Sequence, residues 1–321
     1  MKKIIGTLAC LALTLSPLAA EEKPKLDFRG PLFGELAPVE AQEGSDFHVG
    51  SFTFGLFQQD SNTVSSKFLE YRDFPNGAVA PLFRFQGKKG DYRYNLIGHD
   101  VTQKDQQYFG RFEGKSWKFE LGYTGIPHGF GNGGKSILEP VDETTWRLSN
   151  TLQQSHQDQV AALAPAARTY PNLAAIVAPT LDAKPAAIDI ALQRNRTNLA
   201  FSLLPGGKNF DIGVTYFHER RSGSRTNHGT SFGFSNVVET ADPIRYITQD
   251  FGLNATTKGN WGTAFGALHL NDFSNRFETF SFDNPWRAVD STDPSAYTAP
   301  GSGSINGPQS GLLALPPSNK A

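Results

Sequence analysis

Apolar and polar residues alternate along much of this chain. Within 116–123, Trp117, Phe119, Leu121 and Tyr123 fall on one side, and Ser116, Lys118, Glu120 and Gly122 on the other. That is the period of two expected of a β-strand whose two faces meet different surroundings. Phe210, Ile212, Val214 and Tyr216 repeat the pattern against Asp211, Gly213 and Thr215, with Phe217 as the exception. Tyr92, Tyr94 and Leu96 oppose Asp91, Arg93 and Asn95; Leu199, Phe201 and Leu203 oppose Asn198, Ala200 and Ser202. Turn-forming groups separate such runs: Gly87-Lys88-Lys89-Gly90, Glu113-Gly114-Lys115, Pro205-Gly206-Gly207-Lys208 and Thr257-Lys258-Gly259-Asn260. The pattern predicts about eleven strands, near 47–57, 65–72, 80–87, 91–101, 106–113, 116–124, 196–204, 209–219, 244–256, 260–270 and 274–283.

Three stretches break the alternation. Residues 125–193 form a long insertion that opens with a glycine-rich run over 129–134. Asp142 then stands where it can cap a helix over about 143–163, with Leu148, Leu152, Val160 and Leu163 as a partial apolar stripe. A second, short helix is expected near 172–178. Residues 220–243 are expected to be a polar loop, and 287–321, rich in Pro, Gly and Ser, to be irregular. The strands occupy 46–286, preceded by a Pro- and Glu-rich lead-in over 21–45.

Composition narrows the class. The 25 Phe, 9 Tyr and 4 Trp supply ample apolar area, which argues against disorder; 32 Gly and 20 Pro argue against an all-helical chain. A net charge of −1 provides no global basic field to recruit nucleic acid. At the N-terminus, Lys2 and Lys3 precede an apolar run over 4–15 that is too short to span a bilayer, and Ser16-Pro17-Leu18-Ala19-Ala20 resembles a signal-peptidase site. Residues 1–20 therefore read as a signal peptide, with Glu21 opening the mature chain. Its removal would take Met1 and Cys10, the sole Met and Cys. The mature chain then has no disulfide, no thiolate-bound metal and no C-x-x-C-H haem attachment site.

Alternation behind an export signal fits a secreted β-sandwich or propeller, or an outer-membrane barrel with apolar residues toward lipid and polar residues toward a lumen. Aromatic residues at strand ends (Tyr71, Tyr92, Tyr123, Tyr216, Trp261) favour the barrel, because an interfacial girdle needs them there. So do the charges and small residues on the second face and the mixture of tight turns with very long loops. The expected fold is an all-β antiparallel barrel with a helical loop insertion. If the aromatic strands were to converge on a closed core, the membrane reading would fail.

Apparent chemical motifs dissolve in context. Gly229-Thr230-Ser231-Phe232-Gly233 matches G-x-S-x-G without the strand-to-helix setting of a nucleophile elbow. Gly129-Phe130-Gly131-Asn132-Gly133-Gly134 matches G-x-G-x-x-G outside any βαβ unit. His48, His99, His128, His156, His218, His228 and His269 are scattered, without metal-ligand spacing. No enzyme is expected, and no residue is assigned to catalysis, to a cofactor or to a metal.

Several landmarks carry a family likeness. Lys67-Phe68-Leu69-Glu70-Tyr71-Arg72 with Asn76-Gly77, Gly122-Tyr123 with Ile126-Pro127-His128, and Leu192-Gln193-Arg194-Asn195-Arg196 come first. Glu219-Arg220-Arg221-Ser222-Gly223, then Val237-Val238-Glu239 with Asp242-Pro243-Ile244-Arg245-Tyr246, follow in order. The most specific is Phe273-Ser274-Asn275-Arg276-Phe277 leading to Phe280-Ser281-Phe282-Asp283-Asn284-Pro285-Trp286. Together they resemble the MtrB/PioB family of decahaem-associated outer-membrane barrels. Arg245 stands where that family usually has Asp, and Trp286 where it has Phe.

The resemblance implies a barrel that sheathes a periplasmic multihaem c-type cytochrome, itself able to meet an extracellular cytochrome, so that electrons cross the outer membrane. The chain would bind no cofactor of its own; the haem would belong to the partner. It also implies a longer barrel of which this chain is an N-terminal part, hence an open sheet. The candidates for holding the cytochrome are Arg194, Arg196, Glu219, Arg220, Arg221, Asp283 and Asn284, polar groups of the family-like segments. The alternative is a diffusion porin or solute-uptake barrel without a cytochrome.

Overall fold

In the computed structural model, the residues described are 46–57, 70–71, 73, 77–167, 169–183, 186–203, 209–227, 230–231, 237–284 and 310–320. The expected signal peptide and lead-in lie outside them, as does most of the strand expected near 65–72. In chain order the elements are β1 (Phe47–Phe57), β2 (Gly77–Lys89), β3 (Tyr92–Val101), β4 (Gln107–Glu113), β5 (Trp117–Ser136), β6 (Leu138–Pro140) and β7 (Thr145–Leu148). Then come α1 (Asn150–Ala161), α2 (Tyr170–Ala183), β8 (Ala186–Leu203), β9 (Phe210–Thr226), β10 (Thr230–Ser231) and β11 (Val237–Val238). The last are β12 (Ala241–Gly259), β13 (Gly262–Asn275), β14 (Thr279–Asp283), β15 (Ser310–Ala314) and β16 (Asn319–Lys320).

Ten strands form one antiparallel wall in the order β1-β2-β3-β4-β5-β8-β9-β12-β13-β16. Each pairs with its predecessor in that order, and among the described residues β1 and β16 are the two free edges. Register keeps the faces separate. Phe112, Phe119, Phe201, Val214, Leu253 and Leu268 are successive partners across six strands. The next row on that side is Leu96, Gly110, Leu121, Leu199, Tyr216, Phe251 and Leu270. Between them, on the opposite side, run Asn95, Arg111, Glu120, Ala200, Thr215, Gly252 and His269. A slip of one residue in any strand would put charge into the apolar rows, so the alternation fixes the register.

Among the described residues, the apolar rows pack against no second layer. Phe201, Phe251, Leu253, Leu268 and Leu270 are exposed, and none of the wall aromatics enters the buried core. The band ends in a row where the rings of Phe83, Tyr108 and Tyr123 stand side by side, with centroids 6.1 and 5.9 Å apart. From Trp117 to Tyr123 the band covers about 20 Å of strand.

The strand ends differ sharply. The connections β2–β3, β4–β5, β8–β9 and β12–β13 span only 90–91, 114–116, 204–209 and 260–261, and all lie at one end of the wall. At the other end lie 58–76, 102–106, 137–185, 227–240 and 276–318. Two of these connections, 137–185 and 276–318, build a small second sheet with its helices, here called the cap. Its sheet runs β15-β14-β7-β6, with β14 and β7 parallel through Ser281 opposite Thr145 and Phe282 opposite Trp146. Its apolar centre joins Leu138, Trp146, Leu148, Val160 of α1, Val177 of α2, Phe280, Phe282 and Leu315.

Several expected boundaries are corrected. The glycine-rich run is strand, not loop: β5 continues to Ser136 with register shifts between Gly129 and Gly131 and between Gly131 and Gly134. Glycines tolerate such bulges, and the insertion shrinks to 137–185. The first helix covers only Asn150–Ala161, because Leu148 is drawn into β7 and the cap core. Ser149, not Asp142, is its N-cap residue. Asp142 instead accepts hydrogen bonds from the backbone N (2.7 Å) and Oγ1 (3.1 Å) of Thr144, which hold its carboxyl below the usual range. The expected polar loop over 220–243 is narrowed at both ends, since β9 runs to Thr226 and β12 starts at Ala241. Within 287–321, β15 and β16 are ordered by pairing with β14 and β13.

Candidate functional site

The polar face of the wall carries laterally paired charges. Glu120 receives Arg111 Nη2 at 2.6 Å and Lys118 Nζ at 3.0 Å. Asp250 receives Asn271 Nδ2 at 3.2 Å and lies 2.7 Å from His269 Nε2. These pairs satisfy the charges across neighbouring strands, the sheet counterpart of helical side-chain pairs.

The densest cluster lies where β8 and β9 run side by side. Arg196 is opposite Glu219 and Arg194 opposite Arg221. Alternation sends all four side chains to the polar face. Oε2 of Glu219 accepts from Nε of Arg194 and, at 2.6 Å, from Nε of Arg196; Oε1 accepts from Nε of Arg221 at 2.6 Å. The Glu219 side chain is only 4% exposed, whereas the three arginine side chains are 30%, 35% and 40% exposed. A buried carboxylate is tolerated because three charge-assisted bonds replace its water. Two positive charges remain uncompensated within the group. Just above it, β9 comes close to β8 at Gly223. There φ is +127° and a Cβ would meet the carbonyl oxygen of Ala191 at 2.2 Å. Only glycine fits.

Of the residues singled out in the sequence, Arg194, Arg196, Glu219 and Arg221 are brought together. Arg220 is not: it is opposite Asn195 and Ile247, so the same alternation points it to the other side of the wall. Asp283 and Asn284 belong to the cap. Asp283 accepts from Arg147 Nη1 (2.6 Å) and from the backbone N of Leu148 (2.9 Å), tying β14 to β7, and Asn284 is buried.

One grouping escaped sequence reasoning. The His128 ring stacks on Tyr71 and packs against Phe130, with centroids 4.4 and 4.0 Å away, and its Nε2 lies 3.4 Å from Glu70. His128 and Phe130 could have been paired from their spacing on β5; nothing local announces Glu70 and Tyr71, which arrive from the 58–76 connection. Among the described residues no group of three His, Cys, Asp or Glu side chains is placed to hold a metal ion.

A two-faced antiparallel wall with an exposed apolar band, a charged opposite face and tight turns at one end defines a transmembrane β-barrel wall. The particular family follows from comparison. The sequence model of the family described as "Putative outer membrane beta-barrel porin, MtrB/PioB" matches residues 58–321, more than half of the chain. The chain belongs to the MtrB/PioB family of outer-membrane β-barrel proteins. No curated protein matches it.

Proposed function

We propose that this chain supplies wall for an outer-membrane barrel that houses a periplasmic multihaem c-type cytochrome, so that electrons pass through the membrane. The observation that supports this most is the polar face. It runs across the strands as rows of paired charges and hydrogen-bonding groups, a surface suited to water and to a hydrophilic partner. Lipid meets the opposite, apolar face. In this arrangement the partner carries the haem and the chemistry. The barrel contributes position and insulation and performs no catalysis. By the general habit of such barrels, the short-turn end faces the periplasm and the cap faces outward.

Arg194, Arg196, Arg221 and Glu219 are the wall residues best placed to touch a lumen occupant. Asp283 and Asn284 are not proposed for that role, because Asp283 is bonded to Arg147 and Leu148 within the cap and Asn284 is buried. The test is purification of the full-length protein from its native membranes, followed by haem staining and visible spectra. Co-purifying c-type haem is expected, and Arg194→Ala with Arg196→Ala should weaken its retention while leaving membrane insertion intact. A haem-free preparation that passes small solutes in liposomes would overturn the sheath in favour of a diffusion porin; the family's description says only porin.

A further inference from the structure

Neutralising one buried carboxylate takes one guanidinium; Glu219 has three. The register partners bring no carboxylate, and Asp242, farther along β12, is itself paired with Arg225 at 3.3 Å. The positions next in register are Thr124 beside Arg196, Ile126 beside Arg194, Thr248 beside Glu219 and Tyr246 beside Arg221. All three arginines spend Nε on Glu219 and, among the described residues, their Nη groups have no partner. The Nη groups are the donors that fit the paired oxygens of a phosphate or carboxylate. A second, independent observation points to the same place. The Tyr246 hydroxyl, opposite Arg221 in register, is buried yet makes no hydrogen bond.

We infer that Arg194, Arg196, Arg221 and Tyr246, organised by Glu219, form a binding site for an oxyanion group on the polar face of the wall. Glu219 acts as the positioning residue. It holds the three guanidinium groups by their Nε atoms, and its burial keeps its own charge away from an arriving anion. The ligand completes the charge balance and gives the Tyr246 hydroxyl an acceptor. The oxyanion is either free in the lumen or a carboxylate carried on a larger molecule, and the two probes below tell these sources apart. This site does not depend on the cytochrome reading, since a haem-free barrel would present the same donors.

Isothermal titration of the full chain in detergent micelles at low ionic strength tests the site, with inorganic phosphate and citrate as probes and chloride as control. Saturable binding of either probe is expected. Phosphate binding would mark a free oxyanion, and citrate binding without phosphate binding a carboxylate carrier. Arg196→Gln should weaken binding about tenfold, the factor expected from one charge-assisted bond. Arg196→Lys should fall between the two, and Arg111→Gln, on the same face but paired with Glu120, should leave binding unchanged. Heat-modifiable gel mobility verifies folding. If Arg196→Gln fails to fold, Tyr246→Phe, which keeps the ring, should weaken binding severalfold instead. No saturable binding beyond chloride, or equal binding by the folded variants, would overturn the site. Neither result bears on haem co-purification, which is measured separately.

Discussion

The wall and the cap use the same residue types in opposite ways. In the wall, Phe201, Phe251, Leu253 and Leu268 stand exposed in rows, and the strands are held by their backbone ladders and lateral charge pairs. In the cap, Phe280, Phe282, Val177 and Val160 are withdrawn almost completely from solvent. The cap solves the hydrophobic problem within the protein, as any soluble fold does. The wall leaves it to be solved by lipid. An apolar residue therefore has no fixed meaning in this chain: its period and its neighbours decide whether it seeks protein or membrane.

The largest expected effect comes from breaking the cap. Phe280→Ala should cost about 3–5 kcal/mol of cap stability, because a fully buried ring leaves a cavity. Limited proteolysis should then cut within 137–185 or 276–318 while circular dichroism shows the wall retained. Simultaneous loss of both would show that the two regions are one cooperative unit. Next is a pair of neighbours on opposite faces. Leu199→Arg, in the apolar band, should cost about 2–4 kcal/mol in membrane insertion, whereas Ala200→Arg, beside Glu120, should be nearly neutral. Urea titration of the chain refolded into lipid vesicles measures both; equal effects would erase the assignment of faces.

Smaller effects sharpen the cap itself. Asp283→Ala removes the partner of Arg147 and of the Leu148 backbone N–H, which should cost about 1–3 kcal/mol, read as faster proteolysis of the cap. The mildest involves His156, buried in α1 with Nε2 3.0 Å from Thr180 Oγ1. Burial holds its pKa below the ordinary 6.5, so the folded cap keeps it neutral while the unfolded chain takes up a proton. Cap stability should be steady above about pH 6.5 and decline as pH falls below it. Protease protection measured between pH 7.5 and 5 should show the decline, and His156→Gln should flatten it.

The wall was legible because alternation is a local property. The strand over 47–57 coincides with β1, and the runs around Trp117, Phe210 and Leu199 all lie in wall strands. What local pattern could not show was continuation. Glycines at 129–134 look like loop in isolation, yet β8 supplies partners that extend β5 through them. The cap was legible only as a helical insertion, since its sheet unites segments more than a hundred residues apart. The Glu219 cluster was half legible: the residues were named, but their sorting required β8 and β9 in register. That register is what parts Arg220 from Arg221 and joins Arg194 to Glu219.

The order of strands in the wall has a consequence for assembly. Each strand joins its predecessor in the wall, so the wall can grow strand by strand, with tight hairpins closing at 90–91, 114–116 and 260–261. The cap cannot. β7 waits for β14, and Arg147 waits for Asp283, until β8, β9, β12 and β13 have been laid down between them. Closure of the cap is thus a late event that reports on everything before it. A strand that entered out of step would carry β14 away from β7 and leave the cap's apolar residues unclaimed, a conspicuous signal for the cell's quality-control proteases.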